Sequence, residues 1–403
     1  MARLLSLLRS PRLALAVIGF VATWTGVGAW TPWMQPNSPV APAWATAIGL
    51  DRPFTSWPFL LAVALLFACT LACTWGRRAR VRAIGRGELP PSALRLPPRE
   101  ADVRSFLEAQ GFRARGELLT RFGMALWGGW LLHVGLLLLI AAVLVQQALG
   151  DSGVFDLSEG ERARLSDPGA VFGRERGPLA REDLPDVTVT LRHFDPFLHQ
   201  PGYARDRFSQ LEVEVPGEPP RVETVDRAAG FRAGNAEVFQ AIPSGLAITL
   251  DVPGMGLRTL RLREETRRRT AAEVTDPAGM PARFVLESER DLDSPDGTGR
   301  ALVWLESRGR RTALAPGSAF PFGAGDARVV GIGRWGRLTY TRTPGLGGVF
   351  AGFVVILAGC ALLAFPAGVA RVGRAGDEDA AIVFTVRGSA AIAADWERAG
   401  PPA

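Results

Sequence analysis

The chain has 403 residues, 47% of them apolar, and its mean hydropathy is +0.13. That is too apolar for an ordinary soluble protein and too polar for one that is membrane throughout, so a mixed architecture is expected. The formal charge of +6 comes entirely from Arg, but these residues crowd beside apolar runs instead of forming a stripe with stacking aromatics, which argues against a nucleic-acid partner.

In chain order, residues 1–75 read as a membrane hairpin with spans at about 13–30 and 57–75, the first preceded by Arg3, Arg9 and Arg12. Trp24, Trp30, Trp33, Trp57 and Trp75 gather in or near these spans, where an amphipathic ring prefers the headgroup level. An alternative reading of the first span is a signal peptide, with small residues around Ala41 to Ala45 as its cleavage site. Residues 76–123 read as an Arg-rich cytoplasmic loop. Within it, Pro98 to Gln110 predicts a short helix with Val103, Phe106 and Leu107 on one face and Gly111 as its stop, lying on the membrane surface. Residues 124–149 form the third predicted span, containing Trp127, Trp130 and His133.

Residues 150–343 predict an extracytoplasmic domain. Its apolar runs are short and alternate, as in DVTVTLRHF, QLEVEV, LAITLDV, ARFVLESE, ALVWLES and ARVVGIGRWGRLTYTRT, with Gly, Pro and Asp between them. The pattern is all-β, and the last run leads almost directly into the fourth span at 344–370. Residues 371–403 read as a cytoplasmic tail, with Arg371 and Arg374 at its start. The distribution of Arg puts both termini inside. Arg334, Arg337 and Arg342 fall on the outer side near span four, where a large translocated domain is largely exempt from the charge rule. The expected fold class is therefore a polytopic α-helical membrane protein of four transmembrane helices, with a large extracytoplasmic all-β domain between helices 3 and 4.

Three residues of each chemically versatile type are available: His133, His193 and His199, and Cys69, Cys73 and Cys360. No CxxC or CxxCH occurs, which excludes a thioredoxin-type reductant or a covalent c-type haem carrier by any usual signature. A His inside a span is costly, so His133 is a candidate functional residue. It reads equally as an imidazole hydrogen-bonded between helices or as a neutral axial ligand for haem iron, with Gly128, Gly129 and Gly135 allowing close approach. His193 and His199 lie in LRHFDPFLHQPGY, where Asp195-Pro196 is expected to break the strand and leave both rings on one side of a loop. They read as solvated polar groups or as further iron ligands. Cys69 and Cys73 share a helix face and read chiefly as packing, although the spacing would also suit a metal or redox pair. The sequence contains no nucleophile triad context, phosphate loop or HExxH motif, which argues against a hydrolase or nucleotide enzyme.

Several stretches resemble the ResB family of system II cytochrome c biogenesis. They are SPRLALAVIGFVATWTGVGAWTPWMQ, FTSWPFLLAVALLFACTLACT and RFGMALWGGWLLHVGLLLLIAAVLV for the first three spans, RDRFSQLEV and GFRAGNAEVFQAIPSG in the outer domain, and RTPGLGGVFAGFVVILAGCAL for the entry to the last span. Together they cover about residues 10 to 368. The resemblance implies a multi-pass protein of the cell inner (cytoplasmic) membrane with a periplasmic domain, acting as an accessory subunit of a haem-attachment complex. It would make no bonds itself. The implied cofactor is transient haem b. The implied partners, besides the lipid bilayer, are apocytochrome c and a haem-handling membrane partner of the CcsA/ResC type. The family's membrane His corresponds to His133, whereas neither His193 nor His199 aligns firmly with its outer His. Two other function classes are kept: a membrane scaffold whose β-domain docks an assembly partner without binding haem, and a transporter, which would usually show more spans, internal repeats or intramembrane charges.

Overall fold

The computed structural model describes residues 6–30, 42–99, 102–167, 169–198, 206–234, 236–290, 301–307, 309–323, 325–373 and 379–399. Arg3, Trp33, Ala41, His199 and Arg374 lie outside the described residues. The chain divides into two units, one of residues 1–149 with 344–403 and one of residues 150–343.

The first unit begins with α1 (Pro11–Trp30), α2 (Ala43–Ile48) and α3 (Trp57–Gly85). Next come β1 (Leu94–Leu96), α4 (Val103–Ala109), β2 (Arg113–Arg115), β3 (Leu118–Arg121), a 3-10 turn at Gly123–Trp127 and α5 (Gly128–Leu149). The second unit holds β4 (Asp151–Ser158), β5 (Arg162–Arg164), β6 (Phe172–Arg176), β7 (Thr188–Leu198), β8 (Asp206–Glu214), β9 (Arg221–Val225) and β10 (Phe231–Ala233). It continues with β11 (Ala236–Val252), β12 (Gly256–Arg261), β13 (Arg263–Thr266), β14 (Arg269–Thr275), β15 (Pro281–Ser288), β16 (Ala301–Ser307), β17 (Arg310–Leu314), β18 (Ala319–Phe322) and β19 (Gly325–Arg342). The chain then returns to the first unit through α6 (Leu346–Leu363), β20 (Gly368–Val372), β21 (Ala381–Thr385) and α7 (Ser389–Arg398).

Four helices, Pro11–Trp30, Trp57–Gly85, Gly123–Leu149 and Leu346–Leu363, are long and apolar enough to cross a membrane. Two limits differ from the sequence reading. Helix α3 does not stop at Trp75; its 29 residues measure about 43 Å at about 1.5 Å each, longer than a hydrocarbon core of about 30 Å. The apolar run to Val369 does not all belong to the last helix, because Gly368–Val372 is a strand. Hydroxyls inside α3 are satisfied locally: Thr70 donates to the Leu66 carbonyl at 2.8 Å and Thr74 to the Thr70 carbonyl at 2.7 Å.

Helices α5 and α6 run antiparallel along a glycine seam. Gly128, Gly135 and Ala142 recur every seventh residue on α5, as do Gly345, Gly352 and Gly359 from the start of α6, and seven residues is nearly two turns. A Cβ at Gly135 would lie 2.8 Å from the Gly352 carbonyl oxygen, and one at Gly128 would lie 2.9 Å from that of Gly359. The backbones themselves are therefore in contact, which only glycine permits. Helix α1 is antiparallel to α3: Trp24 Nε1 donates to the Pro53 carbonyl at 2.9 Å near one end, and Arg9 Nε to the Ala72 carbonyl at 3.3 Å near the other.

Residues 86–122 and 368–399 are not a loop and a tail. They form one small α/β body, with the five-stranded antiparallel order β1-β21-β20-β3-β2. The predicted short helix is present as α4, capped by the Asp102 carboxylate, which accepts from the amides of Arg104 at 3.1 Å and Ser105 at 3.2 Å. Those amide donors, Arg104 first, hold the Asp102 carboxyl below the usual carboxylate range. The apolar face of α4 is covered by protein: Val103 and Leu107 are buried in a core with Leu96, Phe112, Val383, Ile392 and Trp396. Trp396 of α7 closes this core, its ring 4.8 Å from Phe106 and its Nε1 donating to the Pro97 carbonyl at 3.1 Å. Because one sheet joins the segments after α3, before α5 and after α6, those three helix ends lie together. Replacing Trp396 by Ala should cost about 3–5 kcal/mol through the cavity left behind. Limited proteolysis of the purified protein should then cut within 86–122 and 379–399 well before the helices, and an unchanged cleavage pattern would count against this packing.

The second unit is all-β, and the six runs singled out in the sequence fall in β7, β8, β11, β15, β16 and β19. Its spine is the antiparallel pair β11–β19, 17 and 18 residues long. Each half of this pair faces a different sheet. One half, with β4 and β10, encloses a core with the sheet β5-β7-β8-β9, through Phe155, Leu191, Phe194, Leu211, Val238 and Leu338. The other half, with β12 and β18, encloses a second core with the meander β13-β14-β15-β16-β17, through Ile248, Leu250, Phe284, Leu286, Val303 and Val329. The register of the pair shifts between Gln240 and Ser244, the stretch that separates the two halves, and the peptide Ile242-Pro243 within it is cis.

Candidate functional site

His133 lies five residues into α5, and at about 1.5 Å per residue its Cα is about 7–8 Å from the start of that helix. The candidate span as a whole starts at Gly123, its first turn being the 3-10 segment Gly123–Trp127. The Nδ1 of His133 is 2.9 Å from the carbonyl oxygen of Gly129, one turn back. A carbonyl oxygen can only accept, so Nδ1 carries the proton and Nε2 keeps its lone pair. Gly129 in turn meets α3: a Cβ there would collide with the Arg77 guanidinium. Phe59, Val63, Leu66, Cys69, Cys73 and Arg77 recur at three- or four-residue intervals and so share one face of α3. At one end of that face Phe59 and Val63 pack on Ile140 of α5, and at the other Arg77 meets Gly129.

These residues fit one axial position of a haem. They supply a half-buried imidazole whose Nδ1 is held by a carbonyl, so that Nε2 is the free nitrogen of the neutral ring, and the Arg77 guanidinium against Gly129; Trp127 and Trp130 precede His133 in the chain, their ring centroids 5.5 Å apart. Sequence reasoning treated Arg77 solely as a topological charge. Its neighbour was invisible because the signal is a glycine on another helix.

Cys69 is buried and Cys73 half-buried, both as free thiols, while Cys360 is exposed. Among the described residues no group of three or more His, Cys, Asp or Glu is placed to hold a metal ion. The Cys69→Ala, Cys73→Ala double variant should accumulate and fold like wild type, as expected of thiols that only pack. A marked loss of protein or of thermal stability would refute the packing reading.

The Asp195-Pro196 step does not end its strand: β7 continues to Leu198, with register shifts between Leu191 and His193 and between Asp195 and Leu198. His193 is 55% exposed on this strand, whereas Phe194 is buried in the core. Its Nδ1 donates to Glu159 Oε1 at 3.1 Å. Glu159 is itself fixed, since Oε1 accepts from the Phe194 amide and Oε2 from the Arg334 amide, both at 3.0 Å. With Nδ1 held by the carboxylate, Nε2 is the nitrogen of His193 that stays available on a largely exposed side chain, the arrangement of ligating histidines. No sequence signal pointed to Glu159, which lies 34 residues away. His193 belongs to the β-rich unit and His133 to the helical one, and His199 lies outside the described residues.

The arginines near the end of this unit have a structural explanation. Arg337 pairs with Asp156 through two hydrogen bonds, of 2.7 and 2.9 Å, and is almost fully buried. The buried Asp151 carboxylate receives Arg174 through two bonds of 2.9 Å and Tyr340 OH at 3.2 Å, with Arg342 3.6 Å away. Burial, and then the Asp151 charge, push the Tyr340 phenol well above its ordinary value.

No protein-family model matches the chain, and no curated protein matches it.

Proposed function

We propose that this chain is a ResB-like cytochrome c biogenesis factor that spans the cytoplasmic membrane four times and holds haem for delivery to apocytochrome c outside. The observation that carries this reading is the orientation of His133, whose proton is committed to the Gly129 carbonyl and whose Nε2 is left for iron. Haem bound there supplies the iron porphyrin that becomes attached to the apocytochrome. The chain positions it: His133 orients it, the apolar faces of α3 and α5 exclude water, and the β-rich unit presents His193, oriented by Glu159, on the outer side. A membrane partner of the CcsA/ResC type supplies the remaining contacts and the attachment step.

The distribution of Arg places the small α/β body in the cytoplasm and the β-rich unit outside. Reporter fusions at Arg95 and the C-terminus should report inside and a fusion at Asp226 outside. β1 and β21 share a sheet, so Arg95 and the C-terminal segment have to agree. An active periplasmic reporter at Arg95 would sink the topology. The purified complex should show a Soret band in reduced spectra; a haem-free complex that still supports maturation would favour the scaffold reading.

A further inference from the structure

Many arginines of the β-rich unit are matched by carboxylates, as in Arg174–Asp151, Arg337–Asp156, Arg192–Glu212 and Arg311–Glu287. No such partner is found for Arg77 among the described residues. It follows Trp75, a 64% exposed ring at the end of the apolar run, and so stands where hydrocarbon gives way to headgroups. It also lies on the α3 face that meets α5, against Gly129, whose carbonyl orients His133. An uncompensated cation, a glycine notch and a ligating imidazole thus lie within one helical turn, polar end toward the aqueous side and apolar end toward the bilayer.

We infer that Arg77 is the acidic-group clamp of the His133 site and binds a propionate carboxylate of the haem that His133 ligates; this rests on the functional reading above. Haem is amphipathic, with two carboxylates on one edge and an apolar remainder. A site open to the headgroup level orders it with that edge toward the basic end. A guanidinium suits this task because it stays charged and pairs with carboxylate through two parallel hydrogen bonds. Gly129 is part of the device, because a Cβ there would displace the guanidinium. Arg80 and Arg82 continue along the same helix, exposed like Arg77 but not set against Gly129, and provide a control.

The test is a Soret titration of the full-length protein, with its partner, using haem and haem dimethyl ester, whose propionates carry no charge. Wild type should prefer haem over the ester by about 10-fold, the size of one charge-assisted pair. Arg77→Gln should abolish that preference while leaving the Soret position unchanged, Arg77→Lys should retain part of it, and Arg80→Gln all of it. If Arg77→Gln keeps the full preference while the Soret band still depends on His133, the clamp is overturned and the His133 reading stands. If the band is absent or independent of His133, that reading fails and the clamp with it. If Arg77→Gln alters only co-purifying anionic lipid, the guanidinium serves a headgroup phosphate and the inference is wrong.

Discussion

His133→Gln is expected to insert, accumulate and fold normally yet to lose most haem occupancy and holocytochrome c yield. Gln can still donate a hydrogen bond toward the Gly129 carbonyl, so a purely structural imidazole would be replaced with little penalty. Its amide is a poor iron ligand, so a ligating imidazole would not. His133→Ala should show the same loss, and added imidazole should partly restore it by entering the vacated volume. Absorption spectra and haem staining of the cytochrome read both effects. Normal haem content and maturation in His133→Gln would defeat the ligand role and leave His133 as a packing residue.

Asp151→Ala is expected to destabilise the β-rich unit by about 3–5 kcal/mol, the usual cost of leaving a buried charge unmatched. Its side chain is 1% exposed and takes both bonds of the Arg174 fork, the Tyr340 hydroxyl and the field of Arg342. Removing it takes the buried carboxylate from two guanidiniums, leaving them the carbonyls of Glu182 and Asp183, at the register pair Asp151–Arg342, which joins the first strand of the unit to its last. The thermal midpoint of the purified protein should fall by several degrees. A variant with an unchanged midpoint would mean that water already screens the cluster.

The four long helices and the strands of the β-rich unit were legible in the sequence because both rest on local periodicity and composition. DVTVTLRHF and ARFVLESE alternate cleanly, and LLLLIAAVLV cannot be anything but buried or in lipid. The small α/β body was not legible. Its strands LRL, RAR and LLTR are three or four residues long, and its core is completed by Trp396 and Val383, near the other end of the chain. No window of sequence contains both halves of that core. The Asp195-Pro196 break failed for a different reason: a bulged strand carries the proline without needing its missing amide. Within the site, His133 stood out because an imidazole in an apolar run is costly. Arg77 and Glu159 did not, since each matters through a backbone group or ring brought to it from another element.

The sheet that joins β1 to β21 also sets a timetable for the nascent chain. Arg95 meets Asp379 across 284 residues, so the segment after α3 leaves the ribosome tens of seconds before its pairing strand, at about 5–20 residues per second. Throughout that interval β1 and β3 present open edges and Leu107 has no lid. The interval ends only when the chain beyond α6 has been made, because β20 and β21, which follow that helix, complete the sheet and its core. A chain that does not close the sheet keeps an exposed, apolar, protease-accessible segment by which it can be told apart from a finished molecule.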